Sequence, residues 1–227
     1  MFNWLISPML SGIMISLAVI FSYTLALYLP DLHMRIACSL IFPFGLIAVI
    51  YLKLKLFTGM IVRFTNSEIE IRDLAVAYIG NIVGVIIAYV IFYMSGNSSS
   101  ELIKSVAYSK LDNTYVYTFA NAILCNIMVC LAVIMSRLNS SDFGKMTTCF
   151  LCISPMVFCG FEHCIANAFV FLTIISPDNI INILIHMCIV TLGNIIGGFL
   201  ITKGVIENEK IWAIKGRICT SDRGAVS

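Results

Sequence analysis

Six stretches of this chain are apolar enough, and free enough of charge, to cross a bilayer, and a bilayer admits few architectures. With no water inside it, every backbone N–H and C=O must find a partner within the protein, which leaves helices and closed barrels. A helix needs about 20 mostly apolar residues to span the hydrocarbon. Residues 1–30 carry no charge, and residues 8–29 give the first span. Ile36–Leu52 gives the second, which continues past Lys53 and Lys55 into LFTGMIV. Leu74–Ser95 and Thr114–Ser136 are the third and fourth. The fifth, Met146–Ile175, is apolar except for Glu162 and His163, and the sixth, Ile180–Thr202, contains one histidine. Hydrophobic residues are 60% of the chain and charged residues 11%, against roughly 45–50% and about 25% in a soluble domain. A mean hydropathy of +0.99 excludes a water-soluble globule, a disordered chain and a nucleic-acid binder. The net charge of +2 is too small to point to a polyanion. The chain reads as an all-α integral membrane protein of six transmembrane helices.

An even number of spans puts both termini on one side. With the termini inside, the inner segments hold Lys53, Lys55, Arg63, Arg72, Arg137, Lys145, Lys203, Lys210, Lys215, Arg217 and Arg223, and the outer loops hold only Arg35, Lys104 and Lys110. Basic residues favour the cytoplasmic side, so both termini are expected in the cytoplasm. The first apolar run has no basic n-region and no evident small-residue cleavage site, and reads as a retained helix rather than a signal peptide. The nine cysteines lie almost wholly inside the spans, where Cys is a small apolar filler and disulfides are not expected.

The two halves resemble each other. Gly12–Ile20 reads GIMISLAVI and Asn126–Ile134 reads NIMVCLAVI, 114 positions on. Gly80–Gly84 reads GNIVG and Gly193–Gly197 reads GNIIG, 113 positions on. Each half has three spans, so the second half enters the membrane from the opposite side. Inverted repeats of this kind build transport proteins, with the site near the midplane where broken helices meet. The second and fifth spans are the irregular ones, interrupted at Lys55-Leu56-Phe57-Thr58-Gly59 and at Gly160-Phe161-Glu162-His163. Half-helix N-termini there expose N–H groups that suit an anion. The glycines four apart, Gly80 with Gly84 and Gly193 with Gly197, let helices approach closely.

His163 with Glu162 is the sharpest chemical signal, because ionisable groups at membrane depth usually face the bundle interior or a water path. The plainer reading of His163 is a packing histidine satisfied by a neighbour. The Thr58 hydroxyl can line the first break or bond its own backbone. Asn126 lies mid-span and can bridge helices or line a path. Lys110 is a loop lysine before the fourth span, or, if folded inward, an attractor of anions. Phe42 and Leu46 are four apart, and Asn126 and Val129 three apart, so each pair shares a helix face. Such pairs are usually core, and can also form constrictions that exclude hydrated ions. Cys149 and Cys152 form a C-x-x-C without a second pair, a weak metal or redox signal. Phosphate loops, nucleophile elbows and zinc signatures are missing from the sequence. No enzyme activity, cofactor or metal site is expected.

Leu56–Gly59, Asn126–Val133, Gly160–Asn167 (GFEHCIAN) and Gly193–Gly198 (GNIIGG) together resemble the formate/nitrite transporter family, in order and spacing, from about Ser11 to about Thr202. The resemblance implies a homopentamer of six-helix protomers, each with an aquaporin-like fold and its own path. It makes His163 the central histidine, Thr58 the threonine facing it, and Lys110 and Asn126 the family's lysine and asparagine. It assigns Phe42, Leu46, Leu56, Phe57 and Val129 to two apolar slits, with Met156 at a slit position that is often aromatic. Three departures stand out: Lys55 replaces a usual acidic residue, Met60 replaces a common Asn, and few residues precede the first span. Selectivity at the inner mouth and gating by pH are the properties these departures touch.

The expected function is passive or proton-coupled movement of a small monovalent weak-acid anion, formate first, across the cytoplasmic membrane. Nitrite or hydrosulfide is the alternative substrate. A metal carrier using Cys149, Cys152, His163 and Cys164, and a family member that has lost transport, are rival classes. Residues 1–205 would form the channel domain and 206–227 a short polar cytoplasmic tail.

Overall fold

The computed structural model describes residues 3–221, with side chains described over 4–208. Every regular element among the described residues is a helix: α1 (Asn3–Ala26), α2 (Asp31–Ile41), α3 (Pro43–Tyr51), α4 (Phe57–Thr65), α5 (Ile71–Met94), α6 (Ser100–Leu111), α7 (Tyr115–Leu138), α8 (Asp142–Phe158), α9 (Cys164–Leu172) and α10 (Ile180–Ser221). Five stretches are long and apolar enough to cross a membrane: Trp4–Ala26, Asp31–Tyr51, Ile71–Met94, Tyr115–Leu138 and Ile180–Asn208. The fifth expected span crosses in two pieces, α8 and α9, parted at residues 159–163. Gly160 sits there at φ 72°, a left-handed conformation that ends an α-helix and that glycine adopts without penalty.

The second span is divided more sharply. Pro43 opens α3, so the α2–α3 junction falls at Phe42. The chain then leaves the helix through Lys53 at φ 54° and resumes at α4, with Leu56 extended at its N-cap. The first break therefore lies at residues 52–56, and Phe57, Thr58 and Gly59 already form the first turn of α4. Two further differences concern the ends of spans. The outer segment expected as a loop contains the helix α6, and α10 runs on to Ser221 instead of stopping near residue 205. Nothing beyond Gly204 supplies a proline stop, so the helix has no local reason to end there.

The inverted repeat is visible in the packing. In each half the first helix lies along the third, α1 on α5 and α7 on α10. Each half-helix then packs on the third helix of its own half and on the first and third helices of the other: α4 on α5, α7 and α10, and α9 on α10, α1 and α5. The glycine motifs make this possible. A Cβ on Gly84 would lie 1.9 Å from the Met9 carbonyl oxygen, and one on Gly197 would lie 2.1 Å from that of Ile123. Met9 and Ile123 are repeat mates, as are Gly84 and Gly197. Both obstacles are backbone, which cannot swing aside. Gly84→Ala and Gly197→Ala are each expected to destabilise the fold by roughly 1–3 kcal/mol or more. Thermal melts in detergent would check this, and equal wild-type melting of either variant would contradict the close approach.

Large apolar side chains such as Ile79, Ile91, Val116, Ile181, Leu184 and Leu192 point outward. The polar residues Thr58, Asn81, Asn126, Glu162, His163, Asn167, His186 and Asn194 are buried instead. This distribution is the reverse of a soluble protein and suits a lipid-facing exterior.

Candidate functional site

The two half-helices meet N-terminus to N-terminus inside the bundle, and one hydrogen-bond device holds both breaks. Asn81 of α5 accepts the Phe57 N–H at 2.8 Å, and its amide donates to the carbonyls of Pro8 at 2.8 Å and Lys55 at 2.9 Å. Asn194 of α10 accepts the Cys164 N–H at 2.9 Å, and donates to the carbonyls of Ala122 at 2.8 Å and Glu162 at 2.9 Å. Each asparagine thus satisfies one orphan N–H at a half-helix start and one carbonyl freed at the break, groups that lipid cannot serve, and ties both to a carbonyl of the neighbouring helix α1 or α7. Neither was singled out from the sequence, although both follow the glycine of a GNI repeat.

His163 stands at the N-cap of α9, and its Nδ1 accepts the Ala166 N–H at 3.2 Å. That bond fixes the tautomer, because a nitrogen that accepts carries no hydrogen. Nε2 of the neutral ring therefore carries the hydrogen and donates it to Thr58 Oγ1 at 3.0 Å, from one half-helix to the other. His163 is 4% exposed and Thr58 fully buried. As a neutral ring, His163 offers a solute a hydrogen-bond donor. To take up a proton it must first release the Ala166 N–H from Nδ1.

Glu162 precedes His163 and is buried in a network. Lys110 Nζ of α6 lies 2.7 Å from Glu162 Oε2, and Asn167 Nδ2 donates to the same oxygen. Lys110 is half-buried, with its side chain 16% exposed. Asn126, expected to line a path or bridge helices, bridges: its Nδ2 donates to the Asn194 carbonyl at 2.6 Å and to that of Thr58 at 3.4 Å.

Two cavities lie on either side of the Thr58–His163 contact, and no residue lines both. The smaller, about 90 Å³, is walled by Phe42, Met156, Phe161, Tyr23, Asn167, Lys110 and His163. That volume has room for a few waters or one small ion. The larger, about 720 Å³, opens on the basic side and ends against Leu46, Leu56, Gly59 and Met60. Lys53, Lys55, Arg63, Arg137 and Lys145 line its walls with Glu68 and Asp142. At its rim Glu68 accepts from Arg63 Nε and Arg137 Nη1, each at 3.1 Å. Partial burial acts to raise the Glu68 carboxyl, but the Asn66 hydrogen bond and the two arginines outweigh it and hold the group below its usual range.

The slit residues expected from the sequence separate into two groups. Leu46 and Leu56 line the basic vestibule, and Phe42 and Met156 line the inner cavity. Phe57 packs edge-to-face on Tyr78 with ring centroids 4.9 Å apart, and it and Val129 belong to the buried core. Cys149 and Cys152 are buried, Cys149 beside Ser136, and no cluster of three metal-ligating side chains occurs among the described residues. The arrangement can attract an anion by charge from either side, offer it a buried N–H donor at the centre, and force it between apolar side chains.

A family model described as formate/nitrite transporter matches residues 1–206. The formate channel FocA of Haemophilus influenzae is 33% identical over 149 residues, a match covering 60% of this chain and 52%, about half, of that relative. The formate channel FocA of Escherichia coli K12 is 29% identical over 90% of this chain and 83% of its own length. A solved structure titled pentameric formate channel with formate bound is 28% identical and superposes with a TM-score of 0.78 over 94% of this chain and 97% of that one.

Proposed function

The chain belongs to the formate/nitrite transporter family, a family of transporters rather than enzymes, and on that premise we propose that it conducts small monovalent anions of weak acids, formate first, as a homopentamer of the cytoplasmic membrane with both termini inside. The observation that carries this reading is the buried Thr58–His163 contact between two cavities that each present cations. Substrate and assembly follow the similarity to formate channels, one of them pentameric. Orientation follows the basic residues of the vestibule face.

An anion leaving water meets the largest cost where the path is apolar. Lysines and arginines at the vestibule, and Lys110 beside the inner cavity, offset that cost by opposite charge. At the centre His163 Nε2–H turns from Thr58 to the anion, and a protonated His163, or a water it holds, lets the solute cross a slit as the neutral acid. The apolar pairs Leu46 with Leu56 and Phe42 with Met156 resist a hydrated ion.

Uptake of labelled formate into proteoliposomes, at two pH values and with nitrite and hydrosulfide as competitors, tests this. Formate flux that rises on outside acidification is the expected result. Stronger competition by nitrite or hydrosulfide would rename the substrate. No flux of any of the three through intact pentamers would make the chain a non-transporting member, with Lys55 the first residue to revert to an acid.

Lys110 requires a paired variant. Lys110→Ala alone leaves Glu162 a buried charge without its cation, which costs roughly 3–5 kcal/mol. Lys110→Ala with Glu162→Gln removes the pair, so the protomer should still assemble. Its formate flux is expected to fall mainly at low concentration, because the lysine's part is attraction. Equal losses at low and saturating formate would assign the pair to structure alone.

A further inference from the structure

His163 is not the only histidine at membrane depth. His186, on α10, is 2% exposed, and its ring packs edge-to-face on Phe171 with centroids 4.9 Å apart. Its Nε2 has no hydrogen-bond partner and stands 3.7 Å from Glu162 Oε2. That oxygen already takes Lys110 Nζ and the Asn167 amide. The Glu162 charge in turn acts on Tyr23 and Cys125. A bare nitrogen lone pair aimed at a carboxylate would repel it, so Nε2 carries the hydrogen. The donor stands just beyond bonding range of its acceptor.

The spare donor has a use if Lys110 moves. One ammonium has three donors but a single charge, and cannot neutralise both Glu162 and an arriving anion. When it turns toward the anion, Glu162 keeps only the Asn167 amide, and a buried carboxylate so exposed either protonates or draws the lysine back. An approach of about 1 Å would bring His186 Nε2 into hydrogen-bonding range of Oε2. We propose that His186 is a positioning residue for the anion path: its Nε2–H closes on Glu162 as Lys110 turns to the anion, and so keeps the carboxylate ionised and the lysine free. This role rests on the reading that anions pass Lys110.

Infrared difference spectra of purified protein, with and without formate, test it directly. Wild type should bind formate with no protonated-carboxyl band. His186→Phe keeps a ring against Phe171 and loses the N–H, so formate should bring up that band, and adding Glu162→Gln should remove it. His186→Gln keeps an N–H donor and should resemble wild type. In vesicles, His186→Phe should raise the formate concentration at half-maximal flux on the order of tenfold, the loss expected for one donor to a charged group, with the maximal rate nearly unchanged. His186→Phe with bound formate, no carboxyl band and wild-type half-saturation would overturn the role. If His186→Phe does not assemble, wild type with nitrogen-labelled histidine decides. Formate should move the His186 Nε2 resonance toward the hydrogen-bonded range, and a resonance that stays in place overturns the role. Wild type that binds no formate would overturn the anion reading itself, and this role with it.

Discussion

Replacing His163 with alanine is expected to leave the protomer folded and to strip uptake of its response to pH. The two effects separate because the ring has two jobs. Nδ1 caps α9 through the Ala166 N–H, and losing a cap costs about 1 kcal/mol, which a bundle held by two helix pairs tolerates. Nε2 is the donor at the contact between the half-helices. A hydrogen bond to a charged group is worth roughly 1.5–3 kcal/mol, so its loss at the contact between the half-helices corresponds to about 10–150-fold in rate. His163→Gln divides the effect further. It restores an amide donor without a titratable nitrogen, so it should recover part of the flux and none of the acid stimulation. Size by light scattering should match wild type for both variants. An alanine variant with wild-type uptake at every pH would remove His163 from the proton step and leave it a capping residue.

The acid response also has a structural signature. A second proton on His163 must occupy Nδ1, which displaces the Ala166 N–H from its acceptor. The first turn of α9 is then expected to lose amide protection, measured against the intrinsic exchange rate at each pH, as wild type is acidified, and to keep constant protection in His163→Gln.

The parts of this site that were legible in the sequence are those that repeat or interrupt a pattern. GNIVG and GNIIG at nearly constant offset pointed to paired helix contacts, and Gly84 and Gly197 make those contacts against backbone carbonyls. Charges inside apolar spans marked the breaks, and His163 and Thr58 lie within bonding distance across them. What remained illegible depends on how helices cross. Lys110 reaches Glu162 across 52 positions because α6 folds back over α9, and α6 itself is short and only weakly patterned. His186 is one histidine in an apolar span, with nothing nearby to say that it faces Glu162 rather than lipid. Asn167 looked like part of a motif rather than a ligand of a carboxylate. The first break lies a few residues earlier than expected because Leu56 is the extended cap and Phe57 already opens α4.

Asn81 and Asn194 carry the largest stability effect expected in the molecule, and the expectation comes from symmetry. Each makes one acceptor and two donor bonds of 2.8–2.9 Å to backbone around a break. Alanine at either position strands the half-helix N–H and the carbonyl at the break, and cuts the tie to α1 or α7. Hydrogen bonds between membrane helices average only about 0.6 kcal/mol, because the unfolded chain also finds partners in lipid. Stranded buried groups cost more, roughly 1–3 kcal/mol each. A loss of about 2–5 kcal/mol falls between these bounds, enough to prevent assembly of a marginal membrane bundle. Asparagine to aspartate keeps the N–H acceptor and loses both donors, so it should be nearly as damaging. The two positions should also behave alike. Asn194→Ala frees the Cys164 N–H beside His163, and Asn81→Ala frees the Phe57 N–H beside Thr58, so each disorders one side of the same contact. Melting temperature in detergent, together with the yield of assembled protein, measures both. If Asn81→Ala melts like wild type while Asn194→Ala collapses, the breaks are not held by one shared device, and the first half-helix owes its place to packing on α7 and α10.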